Sequence, residues 1–237
     1  MTVTGHVPSP LNAITGVKAG MDQINHLGFV TPVLRDPPKS QTDSEGMDLN
    51  SERAKEAILF FQEHHTVIDP TASWGEMAGH PQTVDVASFE PGITKAPFTL
   101  STKFMSLGNS TTAVAIFQQR IVQSEQVIGV FHKANIPIVA GSDTGLLGYG
   151  LYRELELYVK AGMTPLEAIQ SATIVPARAM NLAAESGTIE PGKRADVILV
   201  DGNPLENISD IRKVSRVVTN GQMYESAPLW KSVGFQP

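Results

Sequence analysis

Apolar and polar positions along the chain fall into short β-type runs that alternate with helical spacing. Residues 1–5 read as a strand ending at His6, and residues 11–19 as a helix closed by Gly20. Residues 22–25 form a second strand ahead of His26. Residues 51–64 place Ala54, Ala57, Ile58 and Phe61 on one helical face behind a serine N-cap. Residues 66–69 make a third strand closed by Pro70, and residues 111–134 a long helix. Residues 136–140 form a fourth, fully buried strand that runs into Gly-Ser-Asp. Strands alternating with helices at this scale imply βα units and a parallel sheet.

Two stretches fit no regular element. Residues 28–50 contain Pro32, Pro37 and Pro38, and residues 75–109 are rich in Gly, Pro and Thr. Both follow strand ends, where lids and substrate walls of a (β/α)-barrel sit, and both read equally well as surface excursions. After Asp143 the spacing predicts helices over residues 152–160, over 165–172 with Thr164 as cap and Pro165 at the first position, and over 176–182. From Gly187 the pattern changes to strands at 197–200 and 214–219, with Asn220-Gly221 as a hairpin turn. The chain therefore divides into a βα region, residues 1–186, and a small β unit, residues 187–237.

Composition narrows the chemistry. Hydrophobic residues make up 41% and charged residues 18%, as in an ordinary globular enzyme. The net charge of -6, without any Lys/Arg cluster, argues against nucleic acid as a partner. No apolar run reaches the ~18 residues a membrane span needs, and the amino terminus shows no signal-peptide pattern. A soluble protein is expected, with cytoplasm and periplasm both open. There is no cysteine, so a metal would be held by imidazole and carboxylate.

His6, His26 and Asp143 stand at the carboxyl ends of predicted parallel strands, the edge at which such sheets gather reactive groups. Two imidazoles and a carboxylate suit a catalytic divalent cation with open positions for water and substrate. Asp143 is the candidate to accept the water's proton. Competing readings are a strand-end imidazole bonded in the core for either histidine, and a helix N-cap for Asp143. His64, His65, His80 and His132 read as helix-end, structural or solvated side chains. Arg153, Glu154 and Glu156 read as a solvated or salt-bridged helix face, and Trp74 as packing or a pocket wall.

Several of these segments resemble one family. Gly5-His6 and Ala19-Gly20-Met21-Asp22-Gln23-Ile24-Asn25-His26 look like strands five and six of the amidohydrolase superfamily, and Ile136-Pro137-Ile138-Val139-Ala140-Gly141-Ser142-Asp143-Thr144 looks like its strand eight. Leu151-Tyr152-Arg153-Glu154-Leu155-Glu156-Leu157, Ala161-Gly162-Met163-Thr164-Pro165, and Ala172-Thr173 through Pro176-Ala177 are similar to its imidazolonepropionase-like and Xaa-Pro-dipeptidase-like branch. Gly192-Lys193-Arg194-Ala195-Asp196, with the strand after it, is similar to the family's closing β segment. The resemblance implies a partial (β/α)8 TIM barrel, about strands five to eight, followed by part of a small β-sandwich. It implies that His6 and His26 bind the more buried metal, Zn2+ or a similar divalent ion. Asp143 would bind a second metal and move the proton as water attacks an amide or other C–N bond. The substrate would be a small molecule or short peptide, such as a dipeptide or cyclic amide.

The departures carry equal weight. The family's His-X-His on strand one is absent, as is any residue upstream of His6 that could supply a strand-four lysine. Four parallel strands without closure leave edges unpaired. The sequence thus predicts half of a hydrolase that needs an amino-terminal half or self-association. A catalytically inactive assembly module is the alternative.

Overall fold

The computed structural model describes residues 1–36, 47–143 and 146–237. Their elements run in the following order: β1 (Thr4–Gly5), α1 (Ala13–Lys18), β2 (Gln23–Asn25), α2 (Leu27–Leu34), α3 (Glu52–Glu63), β3 (Val67–Asp69), α4 (Ala72–Gly79), α5 (Phe98–Met105) and α6 (Val114–Lys133). They continue with α7 (Tyr149–Lys160), α8 (Pro165–Ser171), α9 (Ile174–Ala179), β4 (Val197–Val200), β5 (Val214–Thr219), β6 (Gln222–Glu225) and α10 (Ser226–Ser232). Short 3-10 turns cover Val86–Ser88, Pro91–Lys95 and Ile208–Arg212.

β1, β2 and β3 form a parallel sheet in that order, with Gly5 opposite Ile24 and Ile24 opposite Ile68. Ile24 and Ile68 are wholly buried and pack with Phe61 of α3 and with Val127, Ile128 and Phe131 of α6. The capping signals act as the sequence predicts: Ser51 accepts from the Ala54 N–H at the start of α3. Thr164 and Glu167 form a reciprocal box at the start of α8, with Pro165 at its first position.

The expected fourth strand is reduced to a single parallel bridge, Ile68 to Ile138. Ile68 donates to the Pro137 carbonyl and Val139 donates to the Ile68 carbonyl, each at 2.9 Å. Pro137 has no N–H to add a further rung, and the Ala140 N–H turns away to the Ser171 carbonyl. Residues 136–140 still lie beside β3, so Asp143 is delivered to the same edge.

The expected irregular stretch at 75–109 is instead largely helical, with α4, two 3-10 turns and α5. Its Gly and Pro content signals breaks, but Met77, Phe89, Ile93 and Phe104 bury themselves with Leu146, Tyr149 and Phe235 in a second apolar cluster. That burial holds the short helices in place where local propensity does not. Similarly, the 28–50 stretch begins as α2, which carries Pro32 inside it; its residues 37–46 lie outside the described residues. Of the two readings of the Arg153, Glu154 and Glu156 face, the salt-bridged one holds for Arg153 and Glu156, and all three side chains are buried.

β4, β5 and β6 form a separate antiparallel sheet, turned at Asn220-Gly221, where both residues adopt positive φ as a tight hairpin requires. Among the described residues this unit is one sheet, with no second sheet facing it. It is tied to the βα region through Arg212, whose guanidinium reaches Glu156 of α7 and Glu90.

Candidate functional site

Each site residue leaves the end of a strand. His6 follows β1, where Gly5 takes a φ of 152° that a side chain rarely adopts. His26 follows β2 with φ 68°, its N–H donating to the Asp69 carbonyl at 2.7 Å. Positive φ in a non-glycine residue is uncommon and swings the imidazole out of the strand's alternation. Asp143 is also held at positive φ, 42°. Thr71, at φ 46°, begins α4 just beyond β3.

These turns bring the side chains together. His6 Nε2 and His26 Nε2 face one another at 2.7 Å. His26 Nδ1 lies 2.5 Å from Thr71 Oγ1 and 3.9 Å from Asp143 Oδ2. The Phe29 ring packs beside both imidazoles, with centroids at 5.1 and 6.2 Å. Burial lowers the His26 pKa; the Asp143 carboxylate works against it, and His6 adds to it. In this arrangement one of the two facing nitrogens carries the shared proton.

Strand-end reasoning passed over Asp69, although it closes β3 beside the same edge. Its Oδ1 is buried and has no hydrogen-bond partner among the described residues. Burial pushes its pKa up to about 6, against the Thr71 and Gly141 N–H groups, while the Asp143 charge raises it further. The missed signal was available, since Asp69 precedes Pro70 at the end of an apolar run just as Asp143 follows one. Behind it, Glu154 of α7 accepts the N–H groups of Ala72 and Ser73 at 2.9 and 2.7 Å and so caps the start of α4. The other histidines stay out of the site. His80 is buried with Nδ1 at 2.6 Å from the Met77 carbonyl, and His132 pairs with Glu167 at 3.2 Å.

His26, Thr71 and Asp143 open onto a cavity of about 470 Å³. Trp74, Phe117 and Ile121 give it apolar walls.

The donor set can be tested against a cation. Tetrahedral zinc with Zn–N of ~2.0–2.1 Å holds two imidazole nitrogens roughly 3.3 Å apart. The 2.7 Å between Nε2 atoms is a hydrogen-bond distance, so a cation between them requires the rings to part by about 0.6 Å. The exposed His6 has room for that movement. Among the described residues, no group of three His, Asp or Glu side chains is spaced to hold a metal ion. The two imidazoles fit as a ligand pair, and the set is short of a full shell.

The fold agrees with what known proteins show. The profile of the amidohydrolase family matches residues 49–224, well over half of the chain, and the chain belongs to that family. It is 30% identical to the imidazolonepropionase of Thermoplasma volcanium over 124 residues, 50% of this chain and 31% of that protein. It is 36% identical to the ochratoxinase of Aspergillus niger over 107 residues, 44% of this chain and 22% of that protein. Among solved structures, a Xaa-Pro dipeptidase with bound methionine in its active site superposes with a TM-score of 0.60 at 28% identity, covering 95% of this chain and 45% of that one. The chain thus spans less than half the length of these relatives. The family's members are hydrolases that generally use divalent metals. No helix among the described residues is long and apolar enough to cross a membrane.

Proposed function

We propose that this chain carries the carboxyl-terminal part of a metal-dependent amidohydrolase site, in which His6 and His26 bind a divalent cation, Zn2+ or a similar ion, and Asp143 serves as ligand and proton acceptor. The observation that carries the reading is the convergence of the two imidazoles at one end of a parallel sheet, with Asp143 3.9 Å from the second of them. When bound, the cation would supply a water acidified toward neutral pH and polarise a carbonyl. The protein's own residues do the rest. Thr71 fixes the His26 ring through Nδ1, which leaves Nε2 for the cation. Asp143, the exposed carboxylate at the cavity mouth, takes up the proton that hydroxide formation releases. The apolar walls hold the nonpolar part of the amide substrate. The substrate in this reading is a dipeptide-like or cyclic amide, in keeping with the names of the relatives.

Two imidazoles and one carboxylate leave the shell incomplete, and the three-stranded sheet with its single added bridge has open edges. The reading therefore includes a partner, either an amino-terminal half-barrel or a second copy, that completes the ligands and the sheet. The lack of a three-ligand cluster among the described residues favours a second reading, an assembly module without catalysis.

Zinc content and hydrolysis of small N-acyl amino acids, measured on the purified chain alone and mixed with an amino-terminal half-barrel polypeptide of the family, separate the two readings. Zinc uptake with activity on mixing supports the hydrolase; no uptake under either condition supports the module.

A further inference from the structure

Thr71 stands where a helix N-cap stands, yet its side chain does no capping. A threonine in that place ordinarily turns its hydroxyl back onto one of the first free N–H groups of its own helix, from an extended backbone. Thr71 lies instead in the left-handed region, at φ 46° and ψ 43°, and makes no side-chain bond to the start of α4. Its hydroxyl is committed to His26 Nδ1 at 2.5 Å. A β-branched residue is strained in that conformation, so the surrounding structure must hold the turn.

The start of α4 is buried, with Ala72 and Ser73 at 8% and 6% exposure, which puts their N–H groups out of reach of bulk water. Glu154 takes both, Oε1 from Ala72 at 2.9 Å and Oε2 from Ser73 at 2.7 Å. It does so from α7, and its own side chain is wholly buried. One turn further along α7, Tyr158 donates to the Val139 carbonyl at 2.9 Å, in the segment that leads to Asp143. The same helix is thus tied to the turn that bears Thr71 and to the strand end that bears Asp143.

We infer that Glu154 is a positioning residue of the strand-end site: by capping α4 from α7 it holds the Thr71 turn left-handed and frees the hydroxyl to orient the His26 ring. Without the carboxylate, two buried N–H groups lose their acceptors, and the group that ordinarily serves a helix start is the Thr71 hydroxyl. The turn then relaxes toward the extended conformation of a common cap, and the hydroxyl leaves Nδ1. Glu154 does not line the cavity, and it acts on His26 through Thr71. The inference rests on the metal-site reading above only for what the oriented ring serves; the contact itself needs no metal.

Nuclear magnetic resonance of the metal-free full chain at pH 8 reads that contact, from Overhauser effects between the Thr71 side chain and the His26 ring and from couplings that report the Thr71 χ1 rotamer. The parent should show one rotamer against the ring. E154L should lose the contact. E154Q, whose amide offers one acceptor oxygen where the carboxylate offers two, should divide Thr71 between two rotamers. The E76M/R153M double variant removes the ion pair between α7 and α4 but leaves the cap, so it controls for loosened packing and should keep the parent's contact. Competition with a fluorescent zinc chelator supplies a second readout. E154L should weaken zinc binding by about tenfold, the effect of losing an orienting partner, and should add nothing in a T71V background because both changes act through one hydroxyl. A thermal melt identifies a variant that does not fold, and E154Q carries the test if E154L is lost. A parent-like Thr71 contact in E154Q, an equal loss of contact in E76M/R153M, or additive losses of zinc affinity in T71V/E154L overturns the inference. A parent chain that binds no zinc defeats the metal-site reading alone, and the resonance data still decide the place of Glu154.

Discussion

Arg153 grips Glu76 through two parallel bonds, Nε to Oε2 at 2.6 Å and Nη2 to Oε1 at 2.7 Å, and both side chains are buried. The pair fastens α7 to α4, the helix that follows Thr71. It continues as a chain of charges: Arg153 also reaches Glu156 at 3.3 Å, Glu156 accepts from Arg212, and Arg212 extends to Glu90. The β unit is therefore joined to the base of the site by buried ion pairs as well as by apolar contact.

Removing one member of such a pair leaves an uncompensated buried charge, which costs about 3–5 kcal/mol. E76A should lower unfolding free energy by that order, while E76M combined with R153M, which removes both charges and keeps the volume, should cost about 1 kcal/mol or less. Urea denaturation midpoints of the three proteins check this. Equal losses for the single and double variants would show that the charge pairing contributes little.

Glu154 makes stability depend on pH. Its carboxyl is fully buried, and burial raises its pKa from 4.5 to about 7 despite the Ala72 and Ser73 N–H groups that favour the ion. Below the unfolded value both states hold the proton. Between about 4.5 and 7 the folded state holds it and the unfolded state does not, so stability falls as pH rises through that window. The fall attributable to this group is about 3 kcal/mol at most. E154Q keeps an acceptor for the helix start and cannot ionise, and it should flatten the slope; Asp69, with a pKa of about 6, retains a smaller slope of the same sign. Denaturation at several pH values from 4.5 to 8 measures it, and an equally steep profile for E154Q would refute the assignment.

Gly141 sits against Asp69 so closely that an added Cβ would lie 2.2 Å from Oδ2 and 2.4 Å from Oδ1. G141A must displace the carboxylate or the loop leading to Asp143, at a cost of about 1–3 kcal/mol. D69A clears the space, so the loss from G141A should largely disappear in the D69A background. A double-mutant cycle reads that coupling. Additive losses would mean that the loop moves by itself.

Much of this arrangement was legible in the chain. The strand-end positions of His6, His26 and Asp143 followed from the order of short β-type runs together with the motifs that resemble the amidohydrolase family, and the caps at Ser51 and Thr164 from side chains that satisfy helix N–H groups. What local pattern cannot show is partnership over long separations. Glu76 lies 77 residues from Arg153, and Glu90 lies 122 from Arg212. Hence the α7 charges read as a solvated or salt-bridged face, and the local pattern does not show that they are buried or that the partners of Arg153 and Glu156 lie so far away. The helices within 75–109 were hidden for a related reason, since the cluster their apolar residues form is completed by the distant Tyr149 and Phe235. Asp69 closes β3 at the same edge, and the Pro70 that follows marks that strand end in the sequence.

Thr71 offers a way to test the proposed metal site without touching a ligand. Its Oγ1 lies 2.5 Å from His26 Nδ1, and it stands at a positive φ that the turn after β3 imposes. If Nε2 faces a cation, Nδ1 carries the proton and donates it to this hydroxyl, which fixes both tautomer and ring plane. T71V keeps the shape and β-branching but removes the acceptor, so it should weaken zinc binding by about tenfold or more, the usual effect of deleting such an orienting partner. H26A should abolish the binding, and D143N should leave part of it, since Asp143 stands 3.9 Å from the ring nitrogen that faces away from His6. Competition with a fluorescent zinc chelator measures all four proteins, including the parent. Zinc should also raise the melting temperature of the parent chain and not that of H26A, because a ligand that binds only the folded state stabilises it. Parent-like zinc affinity in T71V would remove the hydroxyl from the mechanism, and parent-like affinity in H26A would place the metal elsewhere.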